Sequence, residues 1–266
     1  MKQLFIIILC ILTVSTVYSQ DRIFTYTYQS GVLNQGQKEL EIWNTLRTGR
    51  EQYYSRFDNR SEFEIGLGGK LQTAFYLNIS TATKAIGDVD AMSLSTSYDF
   101  SFSNEWKLKL LDPVANPVGL ALYAEYGIGT SEYELEGKII LDKKIDKLTI
   151  ATNLIYEMEL EPEPEFDGTD WEKEHKAEIS LGFAYQISPS MNITVENLYR
   201  NVIEDGEWEH SAYYAGPGFS YVYKNFWANF TVMPQIVSFK EQNNSHLDLE
   251  EFEKLQCRLI FSYAFN

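Results

Sequence analysis

Apolar and polar residues alternate along most of the chain, in short segments that begin near residue 38 and continue to the C-terminus. A period of two residues places successive side chains on opposite faces of a β-strand. The longest segment covers residues 92–110, where Leu94, Phe100 and Trp106 share one face and serine, aspartate and lysine share the other. We count about twelve such segments, which predicts an all-β protein.

The connectors between these segments differ in length. Short connectors are predicted at residues 68–69, 142–147, 188–190 and 224–225, and long connectors at residues 81–90, 161–173, 201–209 and 238–251. Bacterial transmembrane β-barrels show this asymmetry, with short turns on the periplasmic side and longer loops outside. An even number of strands would place both termini in the periplasm. A soluble β-sandwich or lipocalin-like barrel is the competing interpretation, because its strands alternate as well.

The first nineteen residues have the features of a secretory signal peptide. Lys2 precedes an apolar stretch of about a dozen residues, which is too short to span a bilayer as a helix. Val17 and Ser19 occupy the −3 and −1 positions, so we predict cleavage after Ser19, with an N-terminal membrane anchor as the alternative. The resulting division is a signal peptide at 1–19, a polar periplasmic lead-in at 20–37 and an outer-membrane barrel at 38–266.

Composition narrows the classes of function. Without the signal peptide the chain has 21 basic and 38 acidic residues, a net charge of −17. This acidity argues against a nucleic-acid partner, which requires a basic patch. Cys257 is the only cysteine after residue 19, so no intramolecular disulfide is expected, and zinc-site spacing is absent. The 18 tyrosines and 16 phenylalanines would suit aromatic girdles at two membrane interfaces.

The polarity of the two faces favours the membrane barrel over the sandwich. Several segments carry charges on one face and only leucine, isoleucine, phenylalanine or tyrosine on the other. Lipid offers no hydrogen-bond partners to strand edges, so such a sheet must close. We therefore predict a closed antiparallel transmembrane β-barrel of about twelve strands, with outer-membrane lipid around it.

Three stretches of sequence carry a resemblance to a known class. Residues 63–72, residues 106–113 with 117–123, and residues 259–266 resemble bacterial outer-membrane β-barrel proteins of the Bacteroidota type. These are distantly similar to transporters proposed for the phenol meta-degradation pathway. The resemblance implies an outer-membrane location and a transient partner in the barrel-assembly machinery. Such barrels often end on an aromatic residue, whereas here Phe265 is penultimate.

The polar face supplies the candidate site residues, because it would line the lumen. These are Glu39, Glu41, Arg47, Glu62, Glu64, Asp99, Lys107, Glu125, Glu134, Glu136, Lys138, Glu178, Glu196, Arg200 and Arg258. Mixed charges in a lumen can select small solutes, which predicts a passive channel or transporter. The alternative is a non-conducting structural or ligand-binding protein, with an interior filled by ion pairs and long acidic outer loops that contact ligands.

The sequence contains partial features of two further chemistries, a Ca²⁺ site and a lipid hydrolase. The acidic stretch at 157–170 could hold Ca²⁺, but it lacks EF-hand spacing, and a solvated loop is the alternative. An outer-membrane lipid hydrolase would need a serine near a histidine. His210 and Ser211 are adjacent and would point to opposite faces of a strand, and no Gly-x-Ser-x-Gly motif is present. We therefore predict no catalytic residues, no cofactor and no bound metal.

Overall fold

The computed structural model describes residues 22–87, 92–130, 132–165, 168–204, 206–240 and 245–265. Within these residues twelve antiparallel strands form one closed barrel, in which each strand bonds to the next and β1 bonds to β12. The strands are β1 (Lys38–Thr48), β2 (Tyr54–Gly68), β3 (Leu71–Ile86), β4 (Ser93–Leu111), β5 (Gly119–Gly129), β6 (Tyr133–Ile145), β7 (Leu148–Glu165), β8 (Gly168–Ser188), β9 (Met191–Glu204), β10 (Glu207–Tyr223), β11 (Phe226–Val237) and β12 (Leu255–Phe265). The predicted antiparallel barrel and its strand number are confirmed.

The alternation of the sequence becomes an apolar outer surface and a polar lumen. Leu77, Phe100, Leu135 and Ile193 point outward and are each about half exposed. The residues between them point inward, and many of these are polar and buried. In the described part of the chain, no helix combines the length and apolarity needed to cross a membrane.

The two ends of the barrel differ. We call the end where β1 begins and β12 ends the terminal end, and the opposite end the loop end. Connectors at the terminal end have two residues each, apart from residues 112–118. Gly69 (φ 60°) and Lys70 (φ 72°) form one of them with two left-handed residues, as a type I′ hairpin turn requires. Tyr185, Tyr223 and Tyr263 form an exposed aromatic band near this end.

At the loop end, most of the predicted long connectors are strand instead. β7 runs to Glu165 and β8 starts at Gly168, and β3 runs to Ile86. Polar residues do not prevent pairing there, because an extended hairpin can expose side chains to solvent on both faces. The predicted long connector near residue 238 is confirmed, since residues 238–254 separate β11 from β12. Parts of the predicted connectors, at residues 88–90, 166–167, 205 and 241–244, lie outside the described residues.

The lead-in that was expected in the periplasm lies inside the barrel over residues 22–33. Phe24, Tyr26 and Tyr28 of this segment are at most 7% exposed. Their aromatic rings alternate with threonines, so the segment buries its rings while inward-facing strand residues bind its backbone amides. We call residues 22–33 the lumen segment. Its strand partners lie within about five residues of the terminal end, so it occupies that part of the lumen.

Residues 245–254 of the connector between β11 and β12 also fold inward, from the loop end. The amide of Lys254 donates to the carbonyl of Gly49 (2.7 Å), and the amide of Glu51 donates to the carbonyl of Leu249 (2.9 Å). Phe252 is 7% exposed and packs in one buried cluster with Tyr26. The lumen is therefore filled from both ends along β9, β10 and β11, which contribute the other members of this cluster.

Candidate functional site

A cavity of about 480 Å³ remains between these two inserted segments. Tyr26 and Tyr28 of the lumen segment line it, together with Phe252 of the inserted connector. Charged residues from the strands make up most of the remaining lining. We call this cavity the vestibule, and it is the candidate site for a solute or ligand.

The structure places all fifteen predicted site residues in the interior, each buried or half-buried. Nine of them line the vestibule: Arg47, Asp99, Glu125, Glu134, Glu136, Lys138, Glu178, Arg200 and Arg258. The other six lie apart from the vestibule lining and are more than nine-tenths buried: Glu39, Glu41, Glu62, Glu64, Lys107 and Glu196. The single face predicted from the sequence therefore divides into a vestibule and a deeper layer.

One wall of the vestibule is basic. It is formed by β12, β1 and β2, and we define the basic wall as Arg47, Arg56, Asp58, Arg60 and Arg258, with a net charge of +3. Asp58 lies 2.9 Å from Arg47 Nε and 2.6 Å from Arg56 Nε, so one carboxylate serves two guanidinium groups. Arg258 donates to the hydroxyl of Thr45 (2.9 Å) and lies 4.0 Å from the ring centre of Tyr26.

The other wall is acidic and is formed by β5 to β8. We define the acidic wall as six glutamates and two lysines with a net charge of −4: Glu125, Glu134, Glu136, Lys138, Glu157, Glu159, Glu174 and Lys176. The strand register places like charges directly opposite each other, with Glu125 beside Glu136 and Glu136 beside Glu157. Opposed like charges destabilise a sheet, so the two lysines are needed here. Lys138 lies 2.6 Å from Glu136, and Lys176 lies 2.5 Å from Glu159.

The two walls face each other across the lumen. In the circular strand order, β6 lies six strands from β12 and β7 lies six strands from β1. Six strands is half the circumference of a twelve-stranded barrel, so an electric field runs across the vestibule between these strands. The two walls come closest where Arg60 of β2 lies 3.7 Å from Glu125 of β5. Low-dielectric walls lined by fixed charges concentrate such a field.

A mixed cluster lies at the mouth of the vestibule. Arg50 is 3.6 Å from Glu251 and 3.3 Å from Glu253, which both belong to the inserted connector. Burial raises the pKa of Glu251, and the neighbouring Arg50 opposes this increase. These ion pairs fasten the connector to the β1–β2 end of the barrel.

Several vestibule residues were missed from the sequence. Arg56, Asp58 and Arg60 belong to the first half of β2, before the segment that was recognised at residues 62–67. They lie at every second position before Glu62 and therefore share its face of the strand. This alternation could have identified them. Glu159 was predicted on the polar face of a strand as well as within the acidic stretch at 157–170, and Glu174 directly follows the predicted connector at 161–173. The two residues pair with each other on β7 and β8.

Three of the six deeper residues, Glu39, Glu41 and Glu196, bind the lumen segment or aromatic side chains near it. Glu196 accepts hydrogen bonds from the backbone amides of Thr25 (2.8 Å), Tyr26 (2.8 Å) and Thr27 (2.9 Å). Glu41 accepts from the indole of Trp43 (2.7 Å), and Glu39 accepts from the indole of Trp227. These carboxylates have structural partners and do not line the vestibule.

Three carboxylates of the acidic wall have a geometry that suits a cation. One oxygen from each of Glu134, Glu136 and Glu157 lies within 4.8 Å of the other two, so a single cation could reach all three carboxylates. Lysine ammonium groups already lie 2.6 Å from Glu136 and 3.4 Å from Glu157. Two of the three carboxylates are therefore partly neutralised by the protein itself.

His210 and Ser211, the adjacent pair examined above as hydrolase residues, have structural roles. His210 Nδ1 lies 2.9 Å from Asp248, a buried residue of the inserted connector. The Ser211 hydroxyl accepts from the amides of Phe239 (2.9 Å) and Lys240 (3.1 Å). Both residues thus fasten the connector to β10, directly after a register shift between Trp208 and His210.

Comparison with solved structures supports the fold. The outer membrane channel COG4313 from Pseudomonas putida F1 aligns with a TM-score of 0.63 at 10% identity, over 92% of this chain and 100% of that one. The NanC porin aligns with a TM-score of 0.54 at 9% identity, over 84% and 98% of the two chains. The β domain of the Bordetella autotransporter BrkA aligns with a TM-score of 0.59 at 8% identity, over 87% and 100%.

At these identities the likeness concerns the barrel fold. It includes an outer-membrane channel, as the sequence resemblance led us to expect, while the Bacteroidota type and the phenol pathway stay predictions. None of the curated proteins matches the sequence. One family model matches residues 16–265, which is nearly the whole chain. The protein therefore belongs to the family of unknown function DUF6662.

Proposed function

We propose that the protein is a passive channel of the outer membrane that admits small solutes through its vestibule. The observation that carries this proposal is a charged cavity within a closed barrel whose outer surface is apolar. The structural likeness to an outer-membrane channel and to a porin supports it. Short two-residue turns at the terminal end favour a periplasmic location for that end.

The lumen segment must move for solutes to cross. Its contacts with the strands include hydrogen bonds and packing, and within the described residues its covalent link to the barrel is residues 34–37, which lead into β1. Displacement of the segment would open the terminal part of the lumen without breaking any strand pair. The structure thus corresponds to a closed state in this proposal.

Planar-bilayer recording tests the proposal with two forms of the protein. We expect rare openings from the full chain and a sustained larger conductance from a variant that lacks residues 22–33. Heat-modifiable migration on a gel must first show that both forms are folded barrels. Folded protein that carries no current in either form would refute the channel.

The filled lumen also favours a second candidate, a non-conducting protein that binds a ligand in its vestibule. Phe252 and Tyr26 close one side of the lumen from opposite ends, as a plugged barrel would require. This candidate predicts no current from the shortened variant, together with ligand binding by the full chain. The same recording therefore separates the two functions.

A further inference from the structure

The vestibule has more positive charge on one wall than its own carboxylates can neutralise. Arg47 and Arg56 share the single carboxylate of Asp58. Arg258 donates to the hydroxyl of Thr45 (2.9 Å) and to the backbone carbonyl of Thr25 (3.2 Å), which are both neutral acceptors. The basic wall can therefore accept an anionic group from a ligand, and guanidinium groups bind carboxylates well.

The opposite wall has an excess of negative charge. Lys176 is shared by three glutamates, at 3.4 Å from Glu157, 2.5 Å from Glu159 and 2.8 Å from Glu174. One oxygen of Glu134 lies within 4.8 Å of one oxygen of Glu157, which adds a further carboxylate to this cluster. The acidic wall can therefore accept an ammonium group.

From these two walls we infer that the vestibule binds small zwitterions, molecules that carry one ammonium and one carboxylate group. Such a ligand can direct its carboxylate to the basic wall and its ammonium to the acidic wall at the same time. A pure anion or a pure cation gains from one wall and is repelled by the other. The volume of about 480 Å³ suits amino acids and short peptides. That these ligands are also the transported solutes rests on the proposed function.

Four versions of one peptide provide the test, because blocking either terminus removes the charge of that terminus. Triglycine is a zwitterion, N-acetyl-triglycine is an anion, triglycinamide is a cation and N-acetyl-triglycinamide is neutral. We would titrate each into the folded full chain in detergent at low salt and measure binding by calorimetry. We expect triglycine to bind about tenfold more tightly than each of the other three. At 1 M salt this preference should vanish, because the screening length falls to about 3 Å.

Paired variants locate the site. In the Glu134→Gln/Glu157→Gln variant, triglycine should lose its advantage over N-acetyl-triglycine, because the acidic wall no longer favours the ammonium group. The matched control is Glu51→Gln/Glu207→Gln, which removes two exposed carboxylates outside the vestibule lining. The control should bind all four peptides as the unmodified chain does.

The outcomes are distinct from those of the channel experiment. No measurable binding of triglycine, or equal binding of triglycine and its neutral form, would overturn the inference and leave a conducting barrel intact. Unchanged preference in the vestibule variant would also overturn it. Zwitterion binding by a barrel that never conducts would instead support the ligand-binding candidate and refute transport.

Discussion

Thr25 and Glu196 are 171 residues apart in the chain and are joined by two hydrogen bonds inside the barrel. Oε1 of Glu196 accepts from the backbone amide (2.8 Å) and from the hydroxyl (2.9 Å) of Thr25. Its other oxygen accepts from the amides of Tyr26 and Thr27. A single fully buried carboxylate thus binds three consecutive residues of the lumen segment.

Glu196→Gln should release the lumen segment. The amide nitrogen of glutamine, itself a donor, would face at least one backbone amide donor of the lumen segment, and hydrogen bonds to a charged group contribute about 1.5–3 kcal/mol each. We expect hydrogen–deuterium exchange of residues 22–33 to increase by about one hundredfold, which corresponds to about 3 kcal/mol. Glu178→Gln is the control, because Glu178 pairs with Arg200 at 2.8 Å. Unchanged exchange in the Glu196 variant would contradict this role.

Lys138→Met should destabilise the barrel. The Lys138 ammonium lies 2.6 Å from Glu136 and 4.2 Å from the ring centre of Tyr28, and its side chain is only 7% exposed. Removing one partner of a buried ion pair costs about 3–5 kcal/mol. Urea unfolding in lipid vesicles, followed by tryptophan fluorescence, would measure this change.

A double variant supplies the control for this ion pair. Lys138→Met combined with Glu136→Gln removes both charges, so most of the lost stability should return. If the double variant is as unstable as Lys138→Met alone, packing rather than charge explains the loss.

Gly216→Ala should damage the barrel where β10 lies closely against β11. A Cβ at this position would lie 1.7 Å from the backbone carbonyl oxygen of Val232, so the strands would have to separate. We expect a loss of about 3 kcal/mol in the free energy of unfolding, or failure to show heat-modifiable migration. Gly137→Ala is the matched control, because its Cβ would lie 3.9 Å from the nearest atom, the carbonyl oxygen of Tyr123. Equal effects of the two substitutions would contradict the steric explanation.

Phe252→Ala should loosen the inserted connector while the barrel persists. Phe252 packs against Tyr26 in a buried cluster, and a buried Phe→Ala change costs about 3–5 kcal/mol. Limited proteolysis should then cleave within residues 238–254 more rapidly. Phe239→Ala, in the same connector, is the control because Phe239 is 60% exposed. Cleavage at the rate of the unmodified chain would show that Phe252 does not anchor the connector.

The strands and their faces were predictable from the sequence because alternation is a local property. Apolar residues occupy alternate positions throughout residues 92–110 without a break, and β4 is indeed a single strand over Ser93–Leu111. The boundaries at the loop end were not predictable, since Glu161 and Glu172 resemble loop residues yet face each other in a hairpin. Polarity reports exposure to solvent, and exposed hairpins and loops are equally polar.

The arrangement of the site residues could not be predicted from the sequence, because it depends on closure of the barrel. Arg258 and Arg47 are distant in sequence and belong to one wall only because β12 pairs with β1. The position of the lumen segment could not be predicted either, since Thr25 and Tyr28 bind Glu196 and Asn153, which are distant in sequence. A single sequence contains no local pattern that reports such distant partners.

The partners of the lumen segment also constrain the order of assembly. They include Gln72 on β3, Asp142 on β6, Asn153 on β7 and Glu196 on β9, strands distributed around the barrel. An open, partly assembled sheet cannot present all of these groups to one short segment. The lumen segment, although it precedes every strand in the chain, therefore reaches its final position only once the sheet has curved far enough to bring β3, β6, β7 and β9 round it.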